Sequence, residues 1–208
     1  MSELLFSGPR DGRVLLLAHG AGAPMDSDWL NEMAGRLAEL GIGTARFEFA
    51  YMAARRSGQR KPPPKAEKLM DEYRAAVAAL GSRGPIAIGG KSMGGRVASL
   101  IADELLASGQ IDRLVCLGYP FHPPGSPEKL RTAHLLGMRT PTLICHGERD
   151  PFGSRAEVET YPLSDAIALE WLPDGDHDLK PRKAVTGLTQ ADNLATAAQR
   201  VAAFLIGR

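Results

Sequence analysis

The sequence lacks most of the features that would take it out of the ordinary run of globular domains. Cys116 and Cys145 are its whole complement of cysteine. Each lies inside a short apolar run, which reads as two reduced core thiols of a cytoplasmic protein; a disulfide between them is the alternative reading. An excess of one charge is missing too. The 25 Lys and Arg residues stand against 24 Asp and Glu, a net charge of +1, so nothing electrostatic points to nucleic acid. No apolar run is long enough to span a bilayer. The opening Met1-Ser2-Glu3-Leu4-Leu5-Phe6 has neither the basic start nor the apolar stretch of a secretion signal. No internal repeat is visible. These absences predict a cytoplasmic protein with no membrane or nucleic-acid partner and leave protein partners open.

What is present is enough for one core. The 208 residues, 44% hydrophobic and 24% charged, fit a single domain over 1–208 and are too few for two of typical size. Strand and helix patterns alternate. Residues 13–18 form a continuous apolar run, as in a strand covered on both faces. Residues 28–40 read as an amphipathic helix with Asp26 or Ser27 as cap and Gly41 as stop. An alternating strand follows over 44–49 and a helix over 65–80, ended by Gly81. Further strands are predicted at 85–89, 114–117, 142–145 and 166–171, with helices from Ser92 to about Ser108 and over 188–205. This alternation predicts an α/β fold, a mostly parallel sheet flanked by helices. Two segments break the pattern. Residues 55–64 are basic and proline-rich, an exposed connection or a flap that attracts acidic substrates or partners. Tyr119-Pro120-Phe121-His122-Pro123-Pro124-Gly125 follows a strand at the edge where open α/β sheets bind ligands. It is either a substrate-pocket wall built on Tyr119, Phe121 and His122 or a rigid turn.

The most informative stretch is Gly90-Lys91-Ser92-Met93-Gly94, placed where a strand gives way to a helix. G-x-S-x-G in that setting is a nucleophile elbow, a strained turn that lifts a serine hydroxyl to the sheet rim. A serine hydroxyl needs a base to take its proton, and the base needs a carboxylate to fix its tautomer. In the order Ser…Asp…His, Asp150 closes Cys145-His146-Gly147-Glu148-Arg149-Asp150 directly after a strand; its bland reading is a loop or N-cap aspartate. His177 lies in Pro173-Asp174-Gly175-Asp176-His177-Asp178, after the last strand. His19 and His146 sit at strand ends, and His122 and His134 precede Asp150, so His177 is the candidate base. The N–H of Met93 supplies one oxyanion donor. The other belongs to His19-Gly20-Ala21-Gly22-Ala23, whose small residues let a substrate approach the backbone; Ala21 is favoured, with Gly22 as alternative. His19 reads as an organiser of that loop and part of the pocket wall, ahead of a catalytic reading. Lys91 is a charged side chain at the rim or a holder of a substrate carboxylate.

Cofactor readings are weak, and no cofactor is expected. Asp176-His177-Asp178 has no second histidine or cysteine at a metal-ligand spacing. Gly90-Lys91-Ser92 could end a phosphate loop, but that loop's first glycine would fall at position 85, which is proline.

The assembled motifs resemble the compact α/β-hydrolases related to dienelactone hydrolase. Within them, they resemble the branch of testis-expressed hydrolase-like proteins and a regulatory subunit of a histone acetyltransferase complex. The likeness runs from about Arg13 to the C-terminus. It rests on the 19–23 loop, Gly89-Gly90-Lys91-Ser92-Met93-Gly94-Gly95, the 118–125 segment, His146-Gly147-Glu148-Arg149-Asp150 and Gly175-Asp176-His177. It implies helices on both faces of the sheet, a Ser92–His177–Asp150 triad and no cap domain, with the chain starting close to the third strand of the usual fold. One departure matters: true dienelactone hydrolases carry cysteine at the elbow, where this chain has Ser92. The expected function is a serine hydrolase acting on a small carboxylic ester or thioester. A catalytically silent binding or scaffold protein is the alternative from another class, and an acyltransferase is a lesser one.

Overall fold

A computed structural model describes residues 4–59, 61–81 and 86–207. Arg60 of the basic segment and Pro85 of the strand before the elbow lie outside the described residues. The elements are β1 (Leu5–Ser7), β2 (Val14–Ala18), α1 (Asp28–Glu39), β3 (Gly43–Phe47), α2 (Ala50–Arg56), a 3-10 turn (Ala66–Lys68), α3 (Met70–Ala79), β4 (Ile86–Lys91) and α4 (Met93–Ala107). There follow β5 (Ile111–Leu117), β6 (Thr142–Gly147), α5 (Arg155–Val158), β7 (Ile167–Leu172), α6 (Lys183–Thr186) and α7 (Gln190–Ile206).

The strands form one seven-stranded sheet in the order β1-β3-β2-β4-β5-β6-β7. Only β1 runs antiparallel to its neighbour. All five residues of β2 are buried because both faces are covered. Val14, Leu16 and Ala18 meet Tyr73, Ala76, Val97 and Ile101 of α3 and α4 on one side. Leu15 and Leu17 meet Met33, Leu37, Ala198 and Val201 of α1 and α7 on the other. Each such leucine or valine contributes roughly 1.5–3 kcal/mol by leaving water. With six strands parallel, the carboxyl ends of β4, β6 and β7 lie on one rim, the place where open α/β sheets carry their ligands.

Several local expectations are corrected. β1 precedes the first strand read from the sequence; three half-buried residues are too few to show a period. β3 alternates in polarity yet is buried throughout. The terminal nitrogens of its Arg46 donate to Met25 O at 3.0 Å, Asn31 Oδ1 at 2.7 Å and Ser7 Oγ at 3.0 Å, so α1 and β1 cover a face that would otherwise be wet. The strand stops at Phe47 because Phe49 caps α2. Arg55 and Arg56, read as loop, are helical, and Arg56 pairs with Glu48 and Asp26 at 2.7 and 2.8 Å. The helix read over 65–80 is divided after a first turn closed by i→i+3 bonds, Lys68 N to Lys65 O and Leu69 N to Ala66 O. At the start of α7 a capping box between Thr189 and Asp192 fixes the boundary.

Cys116 and Cys145 are free and buried. Leu117 pairs with Cys145 and Cys116 with Ile144, so the thiols point to opposite faces of the sheet and belong to different core clusters. A bridge between them would have to pass through the sheet.

Candidate active site

Ser92 joins β4 to α4 with φ 52° and ψ −117°, a region that side-chain-bearing residues avoid. The strain is held from both sides: Ser92 N donates to Leu117 O at 2.9 Å, and Ser92 O accepts from Arg96 N at 3.0 Å. Gly94 allows the helix to start hard against β2. A Cβ there would stand 2.5 Å from Ala18 O and 2.6 Å from His19 O.

His177 projects from the loop between β7 and α6. That loop is fastened from three directions. Arg149 donates from Nε to Asp174 O at 2.7 Å and from a terminal nitrogen to Lys180 O at 3.0 Å. Buried Asn193 of α7 donates to Pro173 O and Leu179 O at 3.1 and 2.9 Å. Lys91 Nζ donates to the carbonyl of His177 itself at 2.6 Å.

The imidazole lies between a carboxylate and a hydroxyl. Its Nδ1 is 2.8 Å from Asp150 Oδ2 and its Nε2 is 2.8 Å from Ser92 Oγ. The carboxylate can only accept, so Nδ1 carries the proton and Nε2 is free to receive one from Ser92. Asp150 is fully buried, and its Oδ1 accepts from Phe152 N at 2.8 Å. Burial pushes its pKa up. The hydrogen bond from His177, the charges of His146 and His177 and the Phe152 N–H outweigh that, so Asp150 sits below the usual carboxylate range. The Phe152 ring lies over the imidazole with centroids 4.2 Å apart and planes tilted by 32°.

Two cavities meet at Ser92. The first, about 280 Å³, takes in Ala21, Gly22, Trp29, Lys91 and His177. The second, about 440 Å³, is lined by Pro63, Pro64, Lys65, Glu67, Met93, Arg96 and Arg131 among others. Ala21, Ser92 and Phe152 border both. Met93 heads α4, where the first N–H groups of a helix have no acceptor within it.

The residues predicted from sequence divide sharply. Ser92, His177 and Asp150 come together, and Ala21, Gly22 and Met93 border the space in front of Ser92. His19 does not line either cavity. It is buried, accepts from Phe49 N at Nε2 (3.1 Å) and donates from Nδ1 to Gly20 O (2.6 Å), so it fixes the loop that carries Ala21. Burial lowers its pKa. Tyr119, Phe121 and His122, placed on the pocket wall from sequence, are buried and line neither cavity. The segment starts at the rim, but its rings turn inward: Phe121 packs on Tyr119 and His146 with centroids 4.9 and 5.1 Å apart. Lys91, read as a rim side chain, is buried under Trp29 and paired to Asp178 at 3.2 Å. Burial draws its pKa down against the pull of Asp178, Asp150 and Asp176. Sequence reasoning had no role for Trp29, Phe152 or Arg131. Only Phe152 had a local signal, two residues beyond Asp150.

Comparison with known proteins agrees with this architecture. Residues 11–206 match the α/β-hydrolase domain family. The chain belongs to that family. Among solved structures, this α/β-hydrolase is similar to the dienelactone hydrolase of Anabaena variabilis at 20% identity and a TM-score of 0.71, over 97% of this chain and 90% of that one. It is similar to a lidless α/β serine hydrolase from Xanthomonas campestris at 17% identity and a TM-score of 0.67, over 96% and 87% of the two chains. Est1E from Butyrivibrio proteoclasticus, solved with ferulic acid bound, aligns at 16% identity and a TM-score of 0.69, over 100% and 96%. At these identities the likeness is one of fold. No curated protein matches the sequence. Among the described residues, no helix of this α/β-hydrolase is long and apolar enough to cross a membrane.

Proposed function

We propose that this α/β-hydrolase is a serine hydrolase that cleaves a small carboxylic ester or thioester through an acyl-enzyme. The observation that carries the reading is the continuous chain of hydrogen bonds Ser92–His177–Asp150, with the serine end opening onto two cavities. Ser92 Oγ attacks the carbonyl carbon as His177 Nε2 takes its proton. Asp150 holds the ring in that tautomer and stabilises the imidazolium. The N–H groups of Met93 and Ala21 receive the oxyanion, where fixed dipoles act at a low local dielectric. His177 then hands its proton to the departing alcohol or thiol, and water, deprotonated by the same nitrogen, resolves the acyl-enzyme. The whole cycle needs no cofactor.

The small volumes of the cavities favour small substrates, and the esterase neighbours make ester chemistry the natural first test. Residues 1–208 are taken as one catalytic domain of a cytoplasmic protein. Kinship with the branch of testis-expressed hydrolase-like proteins belongs to this same proposal and rests on the motifs at 19–23, 89–95, 118–125, 146–150 and 175–177.

Labelling with a fluorophosphonate probe tests the reading, with wild type compared to Ser92→Ala and His177→Ala. Wild type alone is expected to label. Ester turnover in either variant should fall by about 10⁴-fold to 10⁶-fold, leaving the residue of catalysis that binding and the oxyanion donors supply. Full esterase activity in Ser92→Ala would sink the proposal. Folded wild type that does not label would favour the scaffold alternative.

A further inference from the structure

The two cavities differ in how their charges are used, and the difference bears on which part of a substrate each accepts. On the hydrolase reading, the leaving group must receive its proton from His177 Nε2, and His177 lines the first cavity but not the second. The leaving group therefore belongs to the first cavity, and the acyl chain lies past Met93 in the second.

The second cavity has four charged side chains, Lys65, Glu67, Arg96 and Arg131. The single carboxylate among them, Glu67, is engaged by Arg96. Arg131 is half-buried, and its guanidinium has no hydrogen-bond or ion-pair partner among the described residues. Burial and then the positive charge of Arg96 work against its protonated form, with Tyr119 and Glu67 favouring it more weakly, and a further anion beside it would add to that support. The backbone that delivers this guanidinium is fixed. Arg131 N donates to Phe121 O at 2.7 Å, and Arg131 O accepts from the Tyr119 hydroxyl at 2.9 Å. Tyr119 and Phe121 are fully buried, so the inward-turned segment 119–121 acts as a strut for Arg131. Across the cavity, Pro63, Pro64 and Lys65 bring the end of the basic segment to the same space.

We propose that the second cavity is an acyl-side anion subsite, in which Arg131, supported by Arg96 and Lys65, holds a carboxylate at the far end of the acyl chain. The natural substrates would then be monoesters or monothioesters of dicarboxylic acids. The proposal rests on the serine-hydrolase reading for its orientation, but the subsite itself is a binding claim. A guanidinium fork matches a carboxylate through two parallel hydrogen bonds, and a charged pair of this kind discriminates by about tenfold or more. The hydrogen bonds at Arg131 are made by its backbone, which a substitution keeps, so its variants are expected to fold.

The test compares an aryl monoester of glutaric acid with the aryl ester of pentanoic acid, which has the same chain length and no charge. Wild type is expected to show a kcat/KM ratio of at least about tenfold in favour of the glutarate ester. That ratio should fall to about one in Arg131→Gln and below one in Arg131→Glu. A wild-type ratio of one or less, or a ratio that survives in Arg131→Gln, overturns the proposal. If neither ester turns over and Ser92 does not label, the hydrolase reading fails separately. Calorimetric titration with glutarate then decides the subsite: binding that is lost in Arg131→Gln supports it, and no binding overturns it. Tighter binding of inorganic phosphate than of glutarate overturns the carboxylate assignment.

Discussion

The cavity that holds His177 and the cavity that holds Arg131 share a border at Ser92, yet they treat charge in opposite ways. On the histidine side each buried ion is tied to protein. Lys91 is bound to the His177 carbonyl and Asp178, and Asp150 to His177 and the Phe152 N–H. On the arginine side, neither the Arg131 guanidinium nor the Lys65 ammonium makes a hydrogen bond or ion pair among the described residues, and Glu67 is already held by Arg96. A charge satisfied within the protein serves architecture, because moving it breaks the network. A charge left half-buried and unsatisfied is available to a ligand. On the proposal above, the histidine side holds a geometry and the arginine side receives the ligand.

The largest break in this contrast should come from Asp150→Asn. The amide removes the carboxylate that keeps the proton on Nδ1, so the ring can present the wrong tautomer to Ser92. We expect kcat to fall about 10⁴-fold with the glutarate-to-pentanoate preference intact. A fall of the preference along with the rate would show that the two sides are not independent.

Acid sharpens the contrast at the next level. His146 lies beneath the histidine side, 3.6 Å from Asp150. His134 lies beneath the arginine side, hydrogen-bonded to Ser99 at 2.8 Å. Burial lowers both pKa values to about 4, with the charge of Arg96 adding to the effect at His134. The unfolded chain protonates near 6.5, so the unfolded state binds more protons below that pH. Each neutral ring therefore contributes its full stability above about pH 6.5, and that contribution drains away as pH falls through about 4. For fully buried His146 the loss is roughly 3 kcal/mol across that window. For half-buried His134 it should be smaller. Urea midpoints measured from pH 7.5 to 4.5 should fall steadily, and His146→Gln should flatten the slope more than His134→Gln. Equal flattening would contradict the burial argument.

The smallest effect expected is that of Lys91→Met. It removes the donor that holds the His177 carbonyl without touching the imidazole, so kcat should drop about tenfold and KM should stay nearly constant. Lys91→Arg, which retains a donor, should recover part of the loss. No recovery would indicate that Lys91 serves packing rather than positioning.

How much of this was legible in the sequence depended on how local each signal was. Strands buried on both faces, such as β2 and β6, announce themselves by unbroken apolar runs. β1 is too short for any period, and α2 carries its arginines where a loop would. The meeting of Ser92, Asp150 and His177 was legible because each lies in a short motif directly after a strand or in the loop that follows one, and such loops share a rim in a parallel sheet. Arg131 was not, because its environment is assembled from residues 63–67, 93–96 and 119–121, which only the tertiary fold brings together. Tyr119, Phe121 and His122 show the opposite error. Their chain position was right, but side-chain direction is set by packing, and the rings turned to the core.

The backbone of Ser92 has a consequence for how such a protein changes over generations. Its φ of 52° is a conformation that glycine adopts without strain and serine does not. At this position function and stability therefore pull in opposite directions. On the hydrolase reading, a lineage released from selection for the hydroxyl would find glycine downhill.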